Sequence, residues 1–180
     1  MANESHLTIL MESVSGWNKW RAENPALKPD LTRSDLVETN LSRANLSEAN
    51  LSKANFARAN LAWADLSRAK LYDAKLYGTN FYGANLTGAD FCRSNLYGAN
   101  LSRADLARIN FSYSSMHCTI FGSIDLSEAE GLDTVVHKGP PTIGIDSIFR
   151  SKGKIPEIFL RGAGVPGRFI TYMRSLVVNR

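Results

Sequence analysis

From Leu31 to Leu126 a Leu or Phe recurs at every fifth residue through twenty units, and only Met116 departs from that choice. Two residues before most of these stands Ala, as at Ala44, Ala49, Ala54, Ala59 and Ala64, with Asn or Asp in between. A spacing of five fits neither the helical period of about 3.6 nor the strand period of 2. On one helix the leucines would wander round the axis and leave no apolar face. On one strand successive leucines would point to opposite sides. The consistent solution is a chain that turns once per unit, so that every Leu and Ala faces a common axis. Stacked turns then pair main chain to main chain at about 4.7–4.9 Å. Each turn buries its core only against its neighbours, as in a solenoid.

The unit Ala-(Asn/Asp)-Leu-x-x resembles the motif of the pentapeptide-repeat family, over residues 30 to 128. The resemblance implies an all-β repeat solenoid: a right-handed quadrilateral β-helix with four units, or about twenty residues, per coil. Twenty units would give about five coils, a body roughly 20–25 Å long at strand spacing. In that register Leu31, Leu51, Leu71, Phe91 and Phe111 share one inner column, and Leu36, Phe56, Leu76, Leu96 and Met116 the next. The Ala positions must stay small, because two inward residues per unit compete for a narrow interior. Ile109 and Ile124 take that slot late in the repeat, with Ser114 and Thr119 between them, so packing there is expected to be less regular. Asn40, Asn60, Asn80 and Asn100 should stack as an amide ladder whose side chains bond nearby main chain. Lys70 and Lys75 interrupt the Asn/Asp pattern, so that edge should differ locally.

An open solenoid exposes unpaired main chain at its ends and needs caps. Residues 5 to 22 read as one amphipathic helix with Leu7, Leu10, Val14 and Trp17 on a face, stopped by Asn24-Pro25. A cap on the first coil is the expected role. Past Leu126 the register is lost, and Gly139-Pro140-Pro141 marks a break. Short helices are expected at about 143 to 151, 156 to 161 and 166 to 178, as a tail separate from the repeat. The last should present Phe169, Tyr172, Met173, Leu176 and Val177 on its apolar face, with Pro166 at its start. The division is therefore 1–29 as an N-terminal helical cap, 30–130 as the repeat β-helix and 131–180 as a helical tail or connector. Residues 139 to 176 resemble the connector that precedes a Toll/interleukin-receptor-like domain in some bacterial pentapeptide-repeat proteins. This resemblance implies either the front module of a larger effector or a form that lost its effector.

The net charge of +4 is unevenly placed. Residues 31 to 130 hold ten Lys/Arg and ten Asp/Glu, while residues 131 to 180 hold eight and three. Gyrase-binding members of the family resemble DNA in outline, through a strongly acidic rod. A neutral rod cannot imitate one negative charge per about 1.7 Å of duplex axis, which argues against a DNA-mimicking topoisomerase (gyrase) inhibitor. The tail's basic residues are spread along helices, so nucleic acid is not expected as a partner. No segment has the length of a membrane span or the apolarity of a signal peptide, and a cytoplasmic, bacterial-type protein is expected.

The chain carries no catalytic constellation. Cys92 and Cys118 fall at outward positions without metal spacing, and read as reduced thiols. His6, His117 and His137 are scattered, so neither metal nor cofactor is expected. Gly162 to Gly167 matches the letters of a dinucleotide-binding glycine motif but lacks its βαβ setting, and reads as a turn between helices. The distinctive surface feature is aromatic. Tyr72, Tyr77, Tyr82 and Tyr97 follow the inner Leu/Phe, and Gly78, Gly83 and Gly98 follow three of them, leaving bare main chain for a ring to cross. His117 continues the Tyr77/Tyr97 column, and Trp63 lies one coil from Gly83. These six residues form a candidate protein-contact patch, since exposed aromatics favour interfaces. The expected function is a non-catalytic interaction or scaffold module whose partner is another protein or a second copy. A regulatory front module and the topoisomerase inhibitor are the alternatives.

Overall fold

The computed structural model describes residues 2–178. Its repeating unit is a tight turn joined to the next coil by main-chain hydrogen bonds. In a typical unit the Ala44 N–H donates to Leu41 O at 3.1 Å, closing a β-turn. Arg43, between them, has φ +63°, and a positive φ at the third turn position marks a type II turn. That left-handed conformation costs a non-Gly residue about 1–2 kcal/mol. It recurs at Arg33, Glu38, Glu48, Lys53 and onward, because it aims a ladder N–H at the next coil: Arg43 N donates to Ala62 O at 3.0 Å. Leu41 N reaches Asn60 O at 2.8 Å, and Asn60 N reaches back to Thr39 O at 2.9 Å. Each unit therefore contributes several inter-coil bonds, each stabilising by about 0.5–1.5 kcal/mol net.

The pairing is parallel between residues twenty apart, from Asp30 with Asn50 through to Asn110 with Glu130. Along it the inner columns are closed to solvent: Leu31, Leu51, Leu71, Phe91 and Phe111 are fully buried, as are Leu36, Phe56, Leu76, Leu96 and Met116. The Asn column is a true ladder, in which Asn60 Nδ2 donates to Asn40 Oδ1 and Asn80 Nδ2 to Asn60 Oδ1, both at 3.1 Å. The same oxygens accept from the main chain two residues on, as Asn60 Oδ1 does from Ala62 N. At Lys70 and Lys75 the main-chain pairing continues on both sides, so only the side-chain ladder is interrupted there.

The N-terminal segment forms two helices rather than one, α1 (Glu4–Glu12) and α2 (Val14–Glu23). Ser13 is extended and accepts from Gly16 N, so its hydroxyl caps a new helix where continuation would have left it idle. Leu10 and Trp17 are buried, and Leu7 and Val14 pack against the same core. The helices meet the first coils through Trp17 Nε1 to Asn45 O (2.7 Å), Asn18 Nδ2 to Arg43 O (3.0 Å) and Arg21 Nη2 to Ser47 O (3.0 Å).

At the other end the register of twenty gives way but pairing goes on, and one expectation is corrected. Strand β1 (Ser115–Met116) pairs in parallel with β3 (Val136–His137), and β2 (Ile120–Phe121) with β4 (Thr142–Ile143). Offsets have grown to 21 and 22, because a single 3-10 turn at Leu132–Thr134 and the Gly139-Pro140-Pro141 segment lengthen the last circuit. The tail is not separate. Helix α3 (Ile145–Arg150) is tied to the coil by Ser147 Oγ, which donates to Phe121 O at 3.0 Å, and α4 (Glu157–Gly162) and α5 (Gly167–Val178) share the coil's core. Phe159 of α4 covers Phe121 edge-on at 6.0 Å and so extends the stack of Phe81, Phe91, Phe111 and Phe121. Helix α5 buries Ile170 and Met173, whereas Tyr172 points to solvent, and the side chains of Leu176 and Val177 lie outside the described residues. Among the described residues no helix is long and apolar enough to cross a membrane.

Candidate functional site

The two residues after each inner Leu/Phe face outward, and the ladder fixes their spacing from coil to coil. The six candidate residues spread over three adjoining sides. Tyr72 lies on the side of Thr32 and Ser52. Tyr77, Tyr97 and His117 form a column on the next side, and Trp63 and Tyr82 occupy the third. Two ring pairs form across coils: Trp63 with Tyr82 at 5.5 Å and Tyr97 with His117 at 5.8 Å, both edge-on. Tyr77 and Tyr97 share a column without a ring contact among the described residues. Trp63 and Tyr77 are about half exposed, at 53% and 48%, while Tyr72, Tyr82, Tyr97 and His117 are half-buried.

Arginines cover the tyrosines. The guanidinium of Arg58 stands 6.0 Å from the Tyr77 ring, that of Arg93 6.0 Å from Tyr72, and that of Arg103 5.6 Å from Tyr82. Each such contact stabilises by about 0.5–1 kcal/mol at an exposed site. Each Arg holds the left-handed turn position one coil away from its tyrosine, a pairing legible at offsets of 19 or 21 residues. The ring crossing Gly83 belongs to Trp63: a Cβ at 83 would stand 2.5 Å from it. Across Gly78 lies the stem of Arg58 rather than a ring, 3.5 Å from where a Cβ would be. Sequence reasoning missed Tyr113, which is 62% exposed. It sits at the same turn position as Trp63, and that most outward position is the signal that would have found it.

Ion pairs run between coils, Glu38 with Arg58 at 3.3 Å and Glu48 with Lys28 at 2.9 Å and Arg68 at 3.7 Å. The Lys28 ammonium, by hydrogen bond and charge, holds the Glu48 carboxyl below its ordinary value. Exposed pairs of this kind add little to stability, because water and salt screen them.

The remaining titratable groups do not converge. His6 accepts from Asp30 N at 3.1 Å and stacks on Trp20. His137 packs against Phe159, and burial holds its imidazole below the usual value. Cys92 and Cys118 are free thiols; burial pushes Cys92 up, and Cys118 is exposed with Sγ 3.5 Å from His117 Nε2. Among the described residues no three His, Cys, Asp or Glu gather as a metal site. Gly162 ends α4, Gly164 has φ +80° and Pro166 precedes α5, so the glycine-rich segment is an inter-helix turn.

A family model of pentapeptide repeats matches in 8 copies over residues 30–61, 54–92, 74–112 and 93–128. No curated protein matches the chain. Among solved structures, the pentapeptide repeat protein Rfr23 from the cyanobacterium Cyanothece 51142 is 37% identical over 51% of this chain, with a TM-score of 0.50. HetL from Nostoc sp. strain PCC 7120, involved in heterocyst differentiation regulation, is 27% identical over 67% of it, with a TM-score of 0.40. The chain spans 63% of the length of Rfr23 and 62% of HetL. The matched repeats cover more than half the sequence, and no catalytic family is indicated. This chain belongs to the pentapeptide-repeat family.

Proposed function

We propose that the chain is a non-catalytic, cytoplasmic interaction module that docks a protein on its aromatic sides, and that a second copy is the partner to test first. The observation that carries this reading is the row of exposed or half-exposed rings, Trp63, Tyr72, Tyr77, Tyr82 and Tyr97. All are seated on a stiff ladder, and Tyr77, Tyr72 and Tyr82 are braced by Arg58, Arg93 and Arg103 respectively. Rigid aromatics lose little entropy on binding, and aromatics and arginines dominate interface energetics. In this reading residues 1–29 cap a right-handed coil of about five turns, residues 30–130 present the docking sides, and 131–180 close the far end. The equal numbers of acidic and basic residues from 31 to 130 weigh against a duplex mimic. The test is light scattering of the wild type and of a Tyr77→Ser/Tyr97→Ser double variant. The expected result is a concentration-dependent mass in the wild type that the variant loses while its circular dichroism is unchanged. An unchanged mass in the variant rejects the patch.

A second contact is supported by the tail. Ile145, Phe149, Ile158 and Tyr172 are 47–62% exposed on three consecutive helices. This favours the reading of 131–180 as a connector to a further domain or partner, with any enzymatic activity lying outside residues 1 to 180.

A further inference from the structure

The coil is split at one place. In every unit from Leu31 to Leu101 the inner residue's N–H donates to the carbonyl nineteen residues on, and Phe111 N does so again to Glu130 O. Leu106 has no such bond to Asp125 O. Arg108 N does not reach Ser127 O, and Asp125 N does not reach Ala104 O, although each bond has its counterpart in the coils before. Asp105 and Asp125 accordingly miss the bridge that Asn85 makes with Asp105 and Asn110 with Glu130. Three consecutive ladder bonds are absent among the described residues, and a cavity of about 380 Å³ lies in the gap. It is lined on one lip by residues 103–107, on the other by 123–125, 127 and 128, and by Arg150.

The cause is a wedge from α3. Ser147 Oγ donates to Phe121 O at 3.0 Å and accepts from Ile124 N at 3.2 Å, taking the place of the turn bond between those two residues. One helical turn on, Ser151 Oγ donates to Ser147 O at 2.7 Å and accepts from Leu126 N at 2.9 Å. Both hydroxyls are fully buried. They hold residues 124–126 toward the tail and away from 104–106, while Arg103 N still donates to Gly122 O at 2.8 Å, so the wall opens only beyond that bond.

The lips want a particular chemistry. Leu106 N, Arg108 N and Asp125 N are three donors; Ala104 O, Asp125 O and Ser127 O are three acceptors. An occupant must return donors and acceptors in equal number at strand spacing, which a simple anion or cation cannot do and a stretch of main chain does. The volume falls in the range of about 300–1,000 Å³ typical of ligand sites. Asp105, Asp125 and Glu128 have no ion-pair partner among the described residues. Of the two arginines, Arg150 is paired with Asp146 at 3.9 Å and Arg103 stands over Tyr82. Three carboxylates thus meet one guanidinium that has no ion-pair partner among the described residues, that of Arg103, and the net charge of the cleft is acidic.

We propose that this cleft is a strand-insertion site that takes an extended, basic peptide segment between the last two coils, restoring the three missing ladder bonds on each lip. It adjoins the aromatic sides, since Arg103 reaches both, but it does not depend on the reading given to them. The test uses the full chain and a fluorescein-labelled peptide of alternating Lys and Val, six residues long, followed by anisotropy and by amide exchange. Without peptide, the amides of Leu106, Arg108 and Asp125 should exchange at least tenfold faster than those of Leu101 and Phe111. With peptide they should become protected. Binding should weaken about tenfold in Asp105→Asn/Glu128→Gln and vanish for the same peptide N-methylated at alternate residues. Equal protection of all five amides without peptide would show the ladder closed and overturn the proposal. So would undiminished binding of the N-methylated peptide, which would mark simple charge attraction, or no protection at millimolar peptide.

Discussion

At the residue scale the interior Ala position governs stability, because it tolerates little besides a methyl group. Thr79 and Thr119 solve the problem of a hydroxyl there by donating to Phe56 O and Leu96 O, both at 2.8 Å. Ser94 and Ser114 are fully buried and their hydroxyls have no partner among the described residues. Replacing each by Ala, the residue most coils use, should stabilise by about 1 kcal/mol, since a buried unsatisfied hydroxyl costs about 1–3 kcal/mol. Urea titration of the double variant should show the midpoint rise with an unchanged slope. The thiols offer a second check. Cys118 is exposed, while burial raises Cys92, so iodoacetamide at neutral pH should label Cys118 first by peptide mass analysis. Glycine at the turn position matters chiefly at 83, where Gly83→Ala should displace the Trp63 ring and redshift its emission.

At the scale of elements, the tail helices hold the open end of the coil through few but specific groups. Ser147→Ala would leave Ile124 N–H and Phe121 O without their shared hydroxyl inside the core. A loss of about 1–3 kcal/mol follows, read as earlier proteolysis of α3 to α5. The junction should also respond to pH. His137 lies against Phe159, with both ring nitrogens buried and unpartnered, and burial lowers its pKa. The unfolded chain then binds a proton more readily than the folded one. The stabilisation is fully present above the unfolded value of about 6.5 and is lost as pH falls below it. Denaturant midpoints should drop between about pH 7.5 and 5.5, more steeply in the wild type than in His137→Gln, which cannot titrate.

At the scale of the whole molecule, stability is a sum over neighbouring coils. Removing residues 51–70 takes out one full circuit and leaves every inner column and the Asn ladder in phase. That variant should fold cooperatively, with a denaturant slope reduced in proportion to the surface lost. Deleting Ser52 alone should cost far more. It shifts all later units by one position against the coil before, so that inward Leu faces outward x; calorimetry of the two variants makes the comparison direct. The chain absorbs extra residues only at its end, where offsets become 21 and 22 and the 3-10 turn at Leu132–Thr134 takes up the slack.

The period of five by itself determined which residues face the common axis and which two face outward in each unit; the register of twenty, and with it the columns and the line of Asn40, Asn60 and Asn80, was what the resemblance of the unit to the pentapeptide-repeat motif implied. Both hold along the whole repeat because it runs without insertion. The columns of Tyr77, Tyr97 and His117, and of Trp63 with Gly83, were legible for the same reason. What lay beyond the repeat was decided by tertiary contacts. Ser13 became a cap where a continuous helix pattern ran through it, and Phe159 closed the phenylalanine stack from 38 positions away in the chain. Arginines settled over tyrosines of the adjoining coil. The split at Asp105 and Asp125 was invisible in sequence, since both obey the motif. It arises only because the hydroxyls of Ser147 and Ser151, brought back by the tail, compete for bonds that the coil would otherwise keep for itself.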